Sequence, residues 1–350
     1  MLRPFVDVAN NIKKNDMQKM KIIFVILIFG FYNSFAQTDH KELYKKAFNE
    51  QYQMLKGEIP INFKRAVFIT ENAYHKGSLN YETFTNEISQ TGIMLKNLIR
   101  QRGLSGYKTA GNWAVFTYMT DSLPINNYKP CTYDFDDFMG EKDWTKMFTT
   151  RLMKTRKGNC HSLPYYYKIL CEEIGAKASL ALAPNHVYIK HIDENGQWTN
   201  VELTNGGFPR DQWIIKQMAI SVEAIKNEIY MKPLTEKENI AMTMFDLAGA
   251  YKFQFEMDSL YLQMIDTALI YFPKCIPLIM CRINYYGNQL KTEKEKTNPN
   301  INYIREMFKN QETAYQMIVS LGHKDMPIEQ YEEWVQSVEK EKQKLNQQNK

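Results

Sequence analysis

With 350 residues the chain is long enough for two domains, and its 44% hydrophobic and 24% charged residues are ordinary for a folded globular protein. Removing residues 1–36 takes away five basic and two acidic side chains, so the formal net charge falls from +5 to +2. A nearly neutral chain without a basic stripe interleaved with aromatic residues argues against a nucleic-acid partner.

The N-terminal segment has the three parts of a secretory signal peptide. Lys19 and Lys21 supply a basic end, and an unbroken apolar run of eleven residues follows, from Ile22 to Tyr32. Ser34 and Ala36 then place small residues at the −3 and −1 positions of a cleavage site. This order predicts a cleaved signal and a protein exported to the periplasm or the extracellular space.

A transmembrane anchor is the alternative for the same segment. A spanning helix needs ~20 predominantly apolar residues, and the run here is shorter. No cysteine stands at the cleavage point, which argues against a lipoprotein anchor. We therefore predict that residues 1–37 are a signal peptide, with residues 1–19 an over-long start of the gene. The mature protein is then expected to have no stable membrane insertion.

The cysteine content favours a free thiol over a metal or redox motif. The five cysteines are Cys131, Cys160, Cys171, Cys275 and Cys281. An odd number in an exported protein leaves at least one of them unpaired, and such a thiol is a candidate reactive group. No Cys-x-x-Cys pair is present. Whether Cys131 pairs with Cys275, with Cys281 or with neither is left open by the sequence.

Helical periodicity predicts a helical N-terminal region over residues 38–139. Apolar residues recur at intervals of three and four over 41–55 and again over 80–100. Three glycines then interrupt the pattern: Gly103, Gly106 and Gly111. Because proline is excluded from a regular helix interior, Pro124 and Pro130 predict an irregular stretch over 122–139.

A helix over residues 161–174 follows, and Cys160 lies in the turn that enters it. Its apolar stripe consists of Leu163, Tyr167, Leu170 and Ile174, and Gly175 is placed to end it. The N-terminus of a helix stabilises a thiolate and has free backbone N–H groups, two properties that a cysteine nucleophile requires. The alternative is a buried structural cysteine, which is the expected state of Cys171 inside the same helix.

Three strands are predicted next: residues 178–183, 186–191 and 197–204. The last two form a hairpin around Glu194, Asn195 and Gly196, because a three-residue loop with glycine in the left-handed position is common. This turn pairs Asp193 with Gln197, so that paired residue numbers sum to 390. Glu202 then faces Tyr188 and lies diagonal to His186, on the same face of the hairpin.

Three short motifs resemble the transglutaminase-like superfamily. They are Gly158, Asn159 and Cys160 at a helix start, Asn185 and His186 opening a strand, and Glu202, Leu203 and Thr204 on the next strand. The order Cys, His, acid and the spacings of 26 and 16 residues are similar to those of the family. Glu202 stands where the family usually has Asp. Trp144 is a candidate oxyanion donor by position only.

The resemblance covers residues 140–235 and implies both a fold and a type of reaction. It implies an α+β fold with a papain-type core, in which a helix packs on an antiparallel sheet. It further implies acyl transfer or amide hydrolysis without a cofactor, with Cys160 as nucleophile, His186 as general base and acid, and Glu202 as the orienting carboxylate. A metal site of Cys160, His161, His186 and His191 is disfavoured, since the last two are five residues apart on a strand and face opposite sides.

Residues 236–350 are predicted to form a C-terminal helical region. One helical stripe consists of Ile240, Met244, Leu247, Ala248 and Tyr251, and later helices are expected over 260–271, 276–290, 302–321 and 327–346. The spacing resembles a tetratricopeptide unit that is one residue too long, and paired helices without a repeat are the alternative.

Two functional hypotheses follow from the sequence. The first is an exported cysteine enzyme that acts on a protein or peptide substrate. The second is a non-catalytic scaffold of the same fold, with the C-terminal helices as its surface for a protein partner.

Overall fold

Helices make up most of the described chain, and two small sheets lie near its middle. The structure is a computed structural model that describes residues 39–330 and, beyond them, residues 332, 336, 340, 342 and 343. The predicted signal peptide, residues 1–37, lies outside these residues. The architecture is α+β, as predicted. Within the described residues, no helix combines the length and hydropathy that crossing a membrane requires.

Four helices form the N-terminal region: α1 (39–56), α2 (Phe63–Tyr74), α3 (Tyr81–Gln101) and α4 (Ala110–Thr120). The side chain of Asn62 accepts a hydrogen bond from the Arg65 N–H at the start of α2, and Asn80 caps α3 in the same way through Thr83. The helices predicted over 41–55 and 80–100 are thereby confirmed to within a residue or two.

The segment after α4 contains more regular structure than its prolines suggest. Its elements are a 3₁₀ turn (Pro124–Asn126), β1 (Thr132–Tyr133), a second 3₁₀ turn (Trp144–Met147), α5 (Thr149–Thr155) and β2 (Lys157–Gly158). Strand β1 pairs in parallel with β2. The irregular stretch predicted over 122–139 contains no α-helix, as expected, and includes the two-residue strand β1, whose hydrogen-bonding partner lies far along the chain.

Helix α6 (Ser162–Ile174) is the central element of the molecule. Every residue from Ser162 to Cys171 is buried, so the helix is enclosed on all sides rather than amphipathic. It packs against α3, α4 and α5 and also against β3 (Ser179–Ala183) and β4 (His186–Ile192). Gly175, with φ +82°, ends it as predicted.

Strands β3, β4 and β5 (Trp198–Val201) form an antiparallel sheet in that order. Ile189 pairs with Val201, which confirms the predicted register, and the Asp193 N–H donates to the Gln197 carbonyl at 2.8 Å. The predicted strand over 197–204 is too long, however. It ends at Val201 because Glu202 closes a tight loop by pairing with Gly207.

Gly111 lies inside α4, so its predicted role as an interruption of the helical pattern is wrong. A β-carbon at this position would stand 2.6 Å from the β-carbon of Ala176, just beyond the end of α6. Glycine is present because α4 approaches the chain closely there, and the cost of glycine in a helix is offset by that packing.

Six helices follow between residues 211 and 320: α7 (Asp211–Gln217), α8 (Val222–Lys226), α9 (Glu236–Gln254), α10 (Ser259–Tyr271), α11 (Ile276–Lys294) and α12 (Ile301–Ser320). Helices α9 to α12 pack each on the next, and α2 packs against α9. The stripe predicted from Ile240 to Tyr251 is fully buried. The short helices α7 and α8 were not predicted. Of the helix predicted over 327–346, the described residues from Ile328 on are helical.

Candidate functional site

Cys160 lies in the turn between β2 and α6, and Asn159 holds this turn in place. The buried Asn159 side chain accepts hydrogen bonds from the backbone N–H groups of His161 and Ser162, both at 3.0 Å. Its amide nitrogen donates to the Phe138 carbonyl at 2.8 Å. Asn159 therefore fixes the half-buried Cys160 at the entrance to the helix, as an N-cap side chain does.

Gly158 lets this turn approach the core closely. A β-carbon there would lie 2.8 Å from the Ser162 hydroxyl and 3.0 Å from side-chain carbons of Leu152 and Leu163. These contacts are shorter than ordinary van der Waals contact, so a larger residue would displace the turn that carries Cys160.

His186 opens β4 directly after the turn formed by Pro184 and Asn185. Asn185 has φ +54°, the left-handed conformation that asparagine tolerates in tight turns. The His186 side chain is only 11% exposed, and its ring lies nearly parallel to that of Tyr188, with centroids 6.2 Å apart. The start of the strand therefore holds the imidazole in one orientation.

Glu202 binds this imidazole directly. Its Oε2 lies 2.6 Å from Nε2 of His186. Its other oxygen, Oε1, accepts hydrogen bonds from the Thr204 backbone N–H at 2.9 Å and from the Thr204 hydroxyl at 2.7 Å. The predicted diagonal placement of His186 and Glu202 is thus confirmed, and the longer side chain of Glu spans the gap.

The charges of this pair are mutually stabilising. Burial lowers the pKa of His186, but the Glu202 charge and hydrogen bonds to Cys160 and Glu202 outweigh it and raise the pKa to about 10. Burial likewise raises the pKa of Glu202, yet the His186 charge and the Thr204 hydrogen bonds bring it below its ordinary value. Both directions describe an imidazolium beside a carboxylate.

The Cys160 thiol is the third member of the cluster. Nε2 of His186 is bonded to Glu202, and Cys160 is among the groups that raise the pKa of the ring. The fold thereby brings Cys160, His186 and Glu202 together in the order thiol, imidazole, carboxylate. That order is what a cysteine nucleophile with an oriented base requires.

The two other histidines of the alternative metal site lie elsewhere. His161 is bonded through Nε2 to Asp246 at 2.8 Å and through Nδ1 to the Met147 carbonyl at 3.0 Å. His191 is bonded to the carbonyl of Ile192. Across the described ranges, no cluster of three metal-ligating side chains is present.

Trp144, the oxyanion candidate of the sequence, packs against α9. Its indole ring lies over Gly249, where a β-carbon would stand 2.4 Å from it, and 6.2 Å from the ring of Phe253. The ring borders a small cavity next to His161 and Asp246, and its N–H is buried without an acceptor among the described residues. This packing gives no support to Trp144 as the donor.

Two residues of the site received no role from the sequence. Asn159 does carry a signal in the sequence, because an asparagine just before a predicted helix is typical of a cap. The second residue is Tyr133, whose pKa is raised by burial and by the charges of Cys160 and Glu202. No local signal identifies Tyr133, because the β1–β2 pairing that positions it joins distant segments.

All five cysteines are free thiols. Cys171 and Cys275 are fully buried, and burial raises the pKa of each well above the ordinary value. Burial also raises the pKa of Cys131, to about 11. These three thiols are therefore poor nucleophiles at neutral pH.

No protein-family model and no curated protein matches this chain. Among solved structures it is similar to the crystal structure of menin that reveals the binding site for Mixed Lineage Leukemia (MLL) protein. The identity is 11%, the TM-score is 0.36, and the match covers 81% of this chain and 74% of that chain. A likeness at this TM-score carries no argument about the fold or function of the chain.

Proposed function

We propose that this chain is a transglutaminase-like protein with a papain-type core, and that it is a cysteine-dependent amide hydrolase or acyltransferase acting on protein or peptide. The observation that carries the proposal is the 2.6 Å contact between His186 and Glu202, beside Cys160 at the start of α6. The packing of α6 on the β3–β4 sheet and the order Cys, His, acid support the family assignment.

The reaction assigns one role to each residue. The Cys160 sulfur attacks the carbonyl carbon of an amide, and the imidazolium of His186 gives its proton to the departing amine. The thioester that remains is attacked by water or by a second amine, whose proton His186 takes back. The carbon–sulfur bond then breaks and regenerates the Cys160 thiolate. Glu202 holds the imidazole in position through both protonation states.

Export is part of the proposal and rests on the sequence of residues 1–37. The mature chain would meet its substrate in the periplasm or outside the cell. Free thiols there are exposed to oxidants, which makes Cys160, the half-buried thiol of the site, a target for reversible oxidation as well.

The first test is alkylation of the folded mature protein by iodoacetamide between pH 4 and 9, followed by peptide mass mapping. At pH 6 we expect Cys160 to react roughly 10- to 100-fold faster than an ordinary thiol, because its thiolate is paired with the His186 imidazolium. His186→Ala should remove this advantage.

Two controls make the result specific to the site. His191→Ala changes a histidine on the same strand that bonds elsewhere, and it should leave the rate at Cys160 unchanged. Cys131 serves as an internal reference thiol, since its pKa of about 11 keeps it protonated over this range. If Cys160 reacts only above pH 8, or at the same rate in His186→Ala, the proposal is wrong.

A second candidate function is a non-catalytic scaffold, and the surface of α12 favours it. Four exposed apolar side chains recur there at intervals of seven and four residues, which places them on one face of the helix: Ile301, Phe308, Tyr315 and Val319. Such a face is typical of a site for a protein partner. A Cys160 thiol without enhanced reactivity would favour this function.

A further inference from the structure

Tyr133 lies on the short strand next to the nucleophile turn. It pairs with Gly158 in the parallel ladder of β1 and β2, two residues before Cys160. The ladder continues with a hydrogen bond from the Asp134 N–H to the Gly158 carbonyl at 2.7 Å. The backbone of Tyr133 is therefore tied to the segment that carries Cys160.

The ring of Tyr133 is held by aromatic neighbours in the same loop. Its centroid lies 4.9 Å from that of Phe135 in an edge-on contact and 6.3 Å from that of Phe138. The carbonyl of Phe138 accepts the hydrogen bond from Asn159 described above. One set of contacts thus fixes both Tyr133 and the turn before α6.

Burial and nearby charges keep the Tyr133 hydroxyl protonated. Burial raises the pKa of Tyr133, and the negative charges of Cys160 and Glu202 raise it further. The hydroxyl therefore keeps its proton throughout the neutral range and is a hydrogen-bond donor on the strand that pairs with the segment carrying Cys160.

This donor has no acceptor in the described part of the protein. The Tyr133 hydroxyl makes no hydrogen bond to any described residue, and the backbone N–H of Cys160 makes none either. Thr204 and His186 already satisfy both oxygens of Glu202. Two donors, one on Cys160 and one on the strand paired with Gly158, are therefore available to a third group.

We propose that the Tyr133 hydroxyl, together with the Cys160 N–H, donates hydrogen bonds to the oxyanion that forms when Cys160 attacks a carbonyl. This inference rests on the proposed function and adds a catalytic residue to it. As the carbon–sulfur bond forms, the π electrons of the carbonyl move onto oxygen, and the two donors stabilise the negative charge. When the carbonyl re-forms, the leaving group departs with the bonding electron pair and a thioester remains.

Two reactions of the same thiol separate this role from the formation of the thiolate. Acylation by p-nitrophenyl acetate passes through an oxyanion, and release of p-nitrophenolate reports its rate. Alkylation by iodoacetamide displaces iodide at a saturated carbon and forms no oxyanion. A donor to the oxyanion therefore affects the first reaction only.

The test is Tyr133→Phe, measured in both reactions on the full mature chain. We expect the rate of acylation of Cys160 to fall roughly 100-fold, as is typical for the loss of one oxyanion donor, while the alkylation rate changes less than about two-fold. Tyr128→Phe is the matched control, because Tyr128 is 66% exposed and should leave both rates unchanged.

Each other outcome overturns the assignment. Equal acylation rates in the variant and the wild type show that Tyr133 is not a donor. Loss of both reactions, or loss of folding, makes the hydroxyl a structural or positioning group. A wild-type Cys160 that alkylates rapidly but takes no acyl group contradicts this inference and leaves the thiolate–imidazolium pair intact. Slow alkylation of the wild type contradicts the proposed function itself.

Discussion

Glu202 uses both oxygens of its carboxylate, one for the His186 ring and one for Thr204. The Thr204 N–H and hydroxyl fix the carboxylate, and the carboxylate fixes the imidazole. The side chain of Glu202 is 9% exposed, so little water competes for these bonds. A buried carboxylate with several donors is held as an anion, which is what an orienting group for an imidazolium must be.

Replacing this carboxylate by an amide should lower the pKa of His186. In Glu202→Gln the effect of burial, which lowers that pKa, is no longer offset by a negative charge. The His186 ring, which keeps its proton to about pH 10 in the wild type, should then lose it at a lower pH. An NMR titration of the ring signals between pH 5 and 10 measures the midpoint.

The ion pair of His186 and Glu202 also determines how the stability of the protein changes with pH. His186 has a raised pKa, so its contribution is complete below its ordinary value of 6.5 and is lost as the pH rises through about 10. Glu202 has a lowered pKa, so its contribution is lost as the pH falls through the folded value. Glu194→Gln, in the turn of the same hairpin, is the control. An unchanged His186 midpoint in Glu202→Gln would contradict the assigned cause.

At the scale of elements, close approaches between helices depend on individual glycines. Helix α4 reaches the chain beyond α6 at Gly111, where only a residue without a β-carbon fits against Ala176. Interiors are packed densely enough that one added methyl group is felt.

Gly111→Ala should therefore destabilise the protein although alanine is the better helix former. We expect a loss of about 1–3 kcal/mol in the free energy of unfolding, the usual cost of overpacking. Urea unfolding followed by circular dichroism measures it. Gly106→Ala is the control, since a β-carbon at Gly106 meets open space. A stability equal to or above the wild type in Gly111→Ala would show that α4 shifts without cost.

At the scale of the whole molecule, one buried polar cluster joins three regions of the chain. His161 follows Cys160, Asp246 comes from α9, and Glu71 comes from α2. The Glu71 carboxylate accepts hydrogen bonds from the Thr149 and Thr150 N–H groups at the start of α5. The N-terminal helices, the core and the C-terminal helices therefore meet directly behind the turn that carries Cys160.

Breaking this cluster should destabilise the protein in a pH-dependent way. Burial lowers the pKa of His161, but the charge and hydrogen bond of Asp246 raise it above 6.5 overall. The ion pair therefore contributes fully below pH 6.5 and is lost as the pH rises through the folded value. We expect Asp246→Asn to cost about 3 kcal/mol at pH 6, as the loss of one partner of a buried pair does, and less at pH 9. Urea unfolding at the two pH values measures the difference.

Two other groups near His161 affect that experiment. Burial raises the pKa of Glu71 to about 7, so the stability of both proteins declines as the pH rises from about 4.5 to 7 and this contribution is constant above that. The Cys160 charge acts on His161 in the same direction as Asp246. Asp325→Asn, at a fully exposed carboxylate, should change stability by less than about 0.5 kcal/mol. An equal cost of Asp246→Asn at pH 6 and pH 9 would contradict the charged state of His161.

The sequence by itself determined the features that depend on local pattern. The helix after Cys160 followed from its periodicity, and Gly175 marked its end. The hairpin register followed from one turn, because side chains alternate with a period of two and the turn fixes which residues face each other. His186 and Glu202 were therefore placed on one face without any knowledge of the rest of the fold.

Only the tertiary structure shows which segments that are distant in sequence come into contact. The pairing of β1 with β2 places Tyr133 beside Cys160, and the packing of Trp144 on Gly249 directs that ring toward α9. The local pattern does not predict a helix at Gly111 for the same reason, since α4 approaches Ala176, which is distant in sequence. Such contacts depend on how elements pack and not on the residues next to them, so no local period or spacing encodes them.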